Sequence, residues 1–193
     1  EDAARAVKGV TNSEGGSASA SKRAFALATS YGFAGAYGGT GRSISASVVA
    51  GEGSGMQRDY AWRSAHHAAD LISPEEIGQM AGERTVARLN PGRMKGGPMP
   101  VVFDPRVGGS LVGHFAGAIS GSSIARRSSF LLGKEGEQVF APGIEIVDDP
   151  LRPRGLVSRP FDGEGLPTSA RHLVEDGRIT GWLMDSAAAR QLG

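Results

Sequence analysis

The chain has 193 residues, 39% hydrophobic and 21% charged, with no cysteine. Those values suit a globular chain able to bury a core, and they exclude disulfides and thiolate metal ligands. Lys and Arg number 21 against 20 Asp and Glu, a net +1, which gives no support to a generic nucleic-acid or membrane-surface binder.

Residues 1–10, EDAARAVKGV, lack an apolar h-region, so no signal peptide is expected. Residues 2–8 read as the end of a helix. The first residue is not methionine and the last stretch, SAAARQLG, reads as a helix end, so the expectation is an internal fragment of a longer protein; the lack of cysteine fits a reducing compartment, and a cytoplasmic location is expected. Residues 13–20, SEGGSASA, read as a turn or loose link, and 24–30 as a strand. In 42–49 the residues Ile44, Ala46 and Val48 alternate with Ser43, Ser45 and Ser47, a period of two with one polar face. GEGSG (51–55) is a turn, and 56–64 alternates again with Met56, Arg58, Tyr60 and Trp62 on one side. The expected arrangement is an antiparallel meander with one face on a core.

Ser73 as N-cap, Pro74 at N1 and Glu76 at N3 predict a capped helix with Ile77, Met80, Ala81 and Leu89 as its apolar stripe, ended by Asn90-Pro91-Gly92. The connector RMKGGPMP after it is the expected domain boundary, dividing the chain into 1–95 and 96–193. Beyond it, 100–105 reads as a short buried strand, about 106–126 as a helix, and 145–147 as a strand. The stretch 151–168 is an ordered loop, and 171–184 a hairpin turning at Asp176-Gly177. Residues 107–125 carry no Asp, Glu, Lys or Arg, but their Gly, Ser and Ala content does not supply the transfer energy of a membrane span. The fold class expected is α+β, an antiparallel sheet meander with helices spanning parts of two α+β domains.

Gly109, Gly113, Gly117 and Gly121 recur at i+4, each costing a helix about 1 kcal/mol against alanine. The spacing predicts another backbone packed along a smooth face, or a helix shaped around a metal or substrate. His114 lies beside that ridge. A zinc helix needs a second histidine and a carboxylate to activate water, and neither follows His114, so alone it reads as a packed or hydrogen-bonded histidine. His66, His67 and Asp70 are clustered ligand types, with His66 and Asp70 on one face if helical, but they lack a third ligand. His172 reads as a surface residue at a strand end. Asp148, Asp149, Asp162 and Glu164 sit at turns near Arg152, Arg154 and Arg159, which predicts a salt-bridged structural loop, with peptide or partner contacts by Asp162, Glu164 and Arg159 as the alternative. GEGSG lacks the lysine and following helix of a P-loop, and no G-x-S-x-G elbow is present. The residues alone give no complete catalytic set.

The blocks VVFDPRVGGSLVGHFAGAISG, FAPGIEIVDDPLRPRGLVSRPFDGEGLPT, LVEDGRITGWLMDSAAARQLG and VVAGEGSGMQRDYAWRSAHH together resemble the PmbA/TldD family, also described as modulators of DNA gyrase. The resemblance spans essentially the whole chain. It implies a family in which two related subunits form a zinc metalloprotease acting on flexible peptides, including peptide-antibiotic maturation and antitoxin turnover. The TldD type carries HExxxH and a further ligand from its C-terminal region; the PmbA (TldE) type lacks the motif. Laid on this chain, the motif keeps its first histidine as His114, has Phe115 for the glutamate and Ile119 for the second histidine. Ligands at i and i+5 diverge by ~140° on a regular helix, so a working motif calls for a bulge that this chain does not need.

The resemblance therefore implies a PmbA-type subunit with no catalytic residue and no cofactor of its own. Zinc is expected on a TldD-type partner, with a flexible peptide as substrate and no direct nucleic-acid or membrane contact. Edge strands in 42–64 or 171–184 would hold peptide by strand addition. Two other readings stay open here: a metallopeptidase in its own right, using His66, His67 or a segment beyond the chain, and a binding-only regulator of gyrase or a toxin system.

Overall fold

The computed structural model describes residues 1–193, which fold as two units. One unit comprises Glu1–Lys95 with Pro150–Thr168, the other Gly96–Asp149 with Ser169–Gly193. Both combine helices with antiparallel strands, an α+β fold.

In the first unit, α1 (Asp2–Arg5) leads into β1 (Val10–Ala28), β2 (Ala34–Ala50) and β3 (Gln57–Ala65), an antiparallel sheet of order β1-β2-β3. Alternation along β2 sends Ile44, Ala46 and Val48 to one face, where they meet Ala61 of β3 and Ile77 and Ala81 of α2 (Pro74–Ala87). The opposite face of β3 carries Arg58, Tyr60 and Trp62 to solvent. The expected capping box forms at the start of α2: Ser73 Oγ accepts from Glu76 N at 3.1 Å and Ser73 N donates to Glu76 Oε2 at 3.0 Å. Gly78 and Gly82 let α1 approach α2, since a methyl on Gly82 would stand 2.7 Å from Val7 Cβ and 2.9 Å from Ala4 O.

The stretch 13–20, expected as a link, is strand instead. It pairs with β2 residue by residue, from Gly15 with Ser47 to Ala20 with Arg42. Residues 14–26 are mostly exposed, so no apolar alternation marks the strand in the sequence. Its order comes from ladder hydrogen bonds rather than from burial. β3 ends opposite Arg42, so residues 34–41 of β2 have no strand on that side.

The second unit holds α3 (Pro105–Ala118), α4 (Gly121–Ala125), β4 (Ile146–Asp148), β5 (Arg171–Glu175), β6 (Arg178–Ile179) and α5 (Ser186–Leu192), with sheet order β4-β5-β6. Its core gathers Phe115, Ile119, Leu131, Leu173, Val174 and Ile179. Asp176 and Gly177 adopt φ of 45° and 76°, the left-handed pair that the expected two-residue turn requires. Residues 100–105 are not a buried strand. They belong to neither sheet, and Val102 is 95% exposed. The helix expected over 106–126 breaks in two at Ile119–Ser120, where Leu183 N donates to Ile119 O at 2.9 Å and Gly121 N donates to Leu183 O at 2.6 Å. No helix is long and apolar enough to cross a membrane.

Candidate functional site

Asp104 caps α3 through its side chain, accepting from Arg106 N at 2.8 Å, and Pro105 sets the first helical φ. The helix then runs regularly to Ala118. On it Phe115 and Ile119, four residues apart, share one face and are 6% and 0% exposed. Phe115 meets Phe140 edge-on, ring centroids 5.2 Å apart. His114 points elsewhere. It is exposed and makes no hydrogen bond, contrary to its expectation as a packed or bonded histidine. The glycine ridge also departs from its expected role. A Cβ on Gly109, Gly113 or Gly117 would meet nothing within 4 Å, and only Gly121 is in close contact, with Met184 and Ala188.

In the first unit, residues 150–168 return to the far end of the β1–β2 ribbon. Phe161 anchors them, its ring 4.9 Å from that of Phe33 and 5.3 Å from that of Tyr37. Gly165, at φ +84°, leaves room for the Phe33 ring, 2.6 Å from where a Cβ would stand. Asp162 Oδ1 accepts from Glu164 N and Leu166 N, both at 2.9 Å, so this carboxylate builds the turn. His66 bridges the carbonyls of Thr40 and Gly155 with its two ring nitrogens, Nε2 at 3.0 Å from Gly155 O. Residues 68–70 form a single 3₁₀ turn, so His66 and Asp70 share no helical face. Asp70 instead pairs with Arg154 at 2.6 Å.

These contacts frame a cavity of about 820 Å³ between β1, β2 and the returning segment. Lys22, Arg23, Arg154 and Arg159 line it beside Phe25 and Tyr37. No Asp or Glu lines it. The ion pairs expected between Arg152, Arg154 or Arg159 and the nearby acids do not form as expected: Arg154 takes Asp70, and Asp148 takes Arg171 at 3.6 Å. Lys22, Arg23 and Arg159 pair with no carboxylate of the chain, while the Arg159 backbone is held by Pro150 O and by the Thr168 hydroxyl.

Elsewhere the titratable groups serve local structure. His172 lies within β5 and pairs with Glu145 at 3.0 Å, and Glu145 also accepts from Asp176 N at 2.8 Å. Glu14 accepts from the Ser47 hydroxyl at 2.7 Å and from Arg58 at 3.3 Å; these bonds, Ser47 first, hold its carboxyl below the usual carboxylate range. No group of three His, Asp or Glu side chains is placed to hold a metal ion. The cavity has no sequence signature because its cations lie over 130 residues apart in the chain and follow no motif; Arg154 and Arg159 stand out in the sequence only as members of an expected salt-bridged loop, and His66 and His67 only as clustered ligand types.

Residues 96–193 match the profile of the PmbA/TldA metallopeptidase C-terminal domain, and residues 1–89 that of the central domain. The chain is 39% identical over 191 residues to metalloprotease PmbA of Escherichia coli O157:H7, and 34% to the PmbA homolog of Haemophilus influenzae; each alignment covers 99% of this chain and 42% of the relative. Among solved structures, a candidate modulator of DNA gyrase from Bacteroides thetaiotaomicron superposes with a TM-score of 0.90 at 27% identity, covering 100% of this chain and 46% of that one. TldE of Thermococcus kodakarensis shares the fold, with a TM-score of 0.72 at 22% identity over 92% of this chain and 40% of that one. The chain thus spans less than half the length of these relatives. With both domain profiles matched, it belongs to the PmbA/TldD metallopeptidase family.

Proposed function

We propose that this chain is part of the non-catalytic, PmbA (TldE)-type subunit of a two-subunit, cytoplasmic zinc metallopeptidase that processes flexible peptides. The observation that carries the reading is the α3 helix. Where the family motif has its glutamate and second histidine, this chain has Phe115 and Ile119, both buried among Leu131, Leu173 and Ile179.

The residues present do not fit zinc. A zinc centre needs three protein ligands on one opening and a carboxylate to activate water. Here the first position, His114, is exposed on one side of α3 while the other two face the core. A local bulge that turned Ile119 toward His114 would expose Ile119 and open the core. Hydrolysis is therefore assigned to a TldD-type partner, where bound zinc supplies an activated water. This chain supplies fold, surface and peptide contacts.

The test is reconstitution. The intact protein, alone and mixed with the TldD-type partner, is incubated with unstructured peptides. Cleavage only in the mixture is expected. Cleavage by the protein alone, abolished by His114→Ala, contradicts the reading.

A further inference from the structure

The cavity at the far end of the β1–β2 ribbon is the feature of the first unit that its packing does not explain. A chain with 21 basic and 20 acidic residues has no general surplus of positive charge. Yet this concavity is lined by Lys22, Arg23, Arg154 and Arg159 and by no carboxylate. Only Arg154 is matched within the chain, by Asp70. The remaining three cations border a space of about 820 Å³, within the range of sites that hold a small or extended ligand. Unmatched cations bordering a concavity, with no carboxylate among its lining, give it a positive potential.

The second feature is the strand edge. β3 stops opposite Arg42 and His66 takes the Thr40 carbonyl, so the β2 edge over residues 34–39 offers backbone N–H and C=O groups with no strand beside them. Gly38 and Gly39 of that edge line the cavity, and a Cβ on Gly39 would meet nothing within 4 Å. Glycine in a strand at such a place admits another backbone. Across the space, Leu156 and Val157 stand 49% and 82% exposed on the returning segment, which Phe161 and the His66 bridge hold in place. Alternating backbone donors and acceptors match a peptide main chain, which a nucleic acid does not possess.

We propose that this cavity binds an extended peptide segment bearing carboxylates, paired along the free edge of β2 with its acidic groups toward Lys22, Arg23 and Arg159. The site lies outside the α3 motif positions and outside the strand stretches 42–64 and 171–184. The proposal rests on the reading of the chain as a peptide-handling subunit and names the chemical class that subunit selects.

The test uses the intact protein without its partner and a fluorescein-labelled unstructured decapeptide carrying consecutive Asp and Glu. Anisotropy compares it with its Asn/Gln counterpart and with a single-stranded oligonucleotide of equal charge. Tighter binding of the acidic peptide than of either comparator is expected, weakening as salt is raised. The variant Lys22→Gln/Arg23→Gln/Arg159→Gln, changing exposed side chains without ion pairs, should weaken it about tenfold. Gly39→Val should weaken acidic and neutral peptides alike, with the melting temperature unchanged, because its side chain would stand in the cavity and not in the core. Equal affinity for the acidic and neutral peptides, an unaltered affinity in the triple variant, or a preference for the oligonucleotide overturns the proposal. None of these outcomes bears on whether the subunit is catalytic, which metal content and reconstitution decide separately.

Discussion

Phe115 and Ile119 each do one thing in α3: they fill the second core beside Leu131, Leu173 and Val174. Restoring polar ligands there would bury charge where no partner exists. The double variant Phe115→Glu/Ile119→His is therefore expected to lose about 3–5 kcal/mol of stability, read by denaturant unfolding, and to gain no stoichiometric zinc. Stoichiometric zinc with unchanged stability would contradict the packing account. At the other end of the chain, Glu14 carries a pH dependence of known sign. The Ser47 hydroxyl, then Arg58, stabilise its ionised form, so its carboxyl titrates below the ordinary range in the folded chain. Its contribution is present above the unfolded carboxylate pKa and is lost as pH falls through the lowered folded value. In Ser47→Ala the Glu14 titration followed by NMR should move upward.

Glycines separate the two helical environments at the scale of elements. In α2, Gly82 is a close approach: a methyl there would stand 2.7 Å from Val7 Cβ, so Gly82→Ala is expected to cost about 1–3 kcal/mol. In α3, Gly113 faces open space, and Gly113→Ala should stabilise the helix by up to about 1 kcal/mol. Thermal unfolding of the two variants should shift in opposite directions. The sequence distinguished these helices poorly, because four glycines at i+4 look alike whether or not something packs on them. It served α2 well, where Ser73, Pro74 and Glu76 carry a local capping signal that needs no tertiary partner. β1 was half legible, since its Ser, Gly and Ala side chains bury little and its strand exists through pairing with β2. Residues 100–105 show the converse: apolar composition without a partner strand leaves Val101 and Val102 exposed. Phe161 is the main apolar anchor of the returning segment, beside the His66–Gly155 bond and the Asp70–Arg154 pair. Phe161→Ala should cost the first unit about 3 kcal/mol and speed hydrogen exchange in residues 150–168, while amides of α3 keep their protection.

For the whole molecule, the two units divide what sequence could and could not show. Family membership was legible because long stretches with fixed order, such as VVFDPRVGGSLVGHFAGAISG, carry it. The expected motif positions, His114, Phe115 and Ile119, lie within six consecutive residues, so they could be named from the sequence. The cationic cavity was not, because Lys22 and Arg23 meet Arg154 and Arg159 only after 150–168 folds back onto the ribbon. The central claim concerns catalytic competence, and it places hydrolysis on another subunit. The most direct measurement is the zinc content of the intact protein, purified without a histidine tag and analysed by elemental mass spectrometry. Less than about a tenth of an equivalent is expected, because α3 presents one exposed histidine and no second ligand. Near one equivalent, lost in His114→Ala or in a His66→Ala/His67→Ala variant, would contradict the account and make this protein a peptidase in its own right.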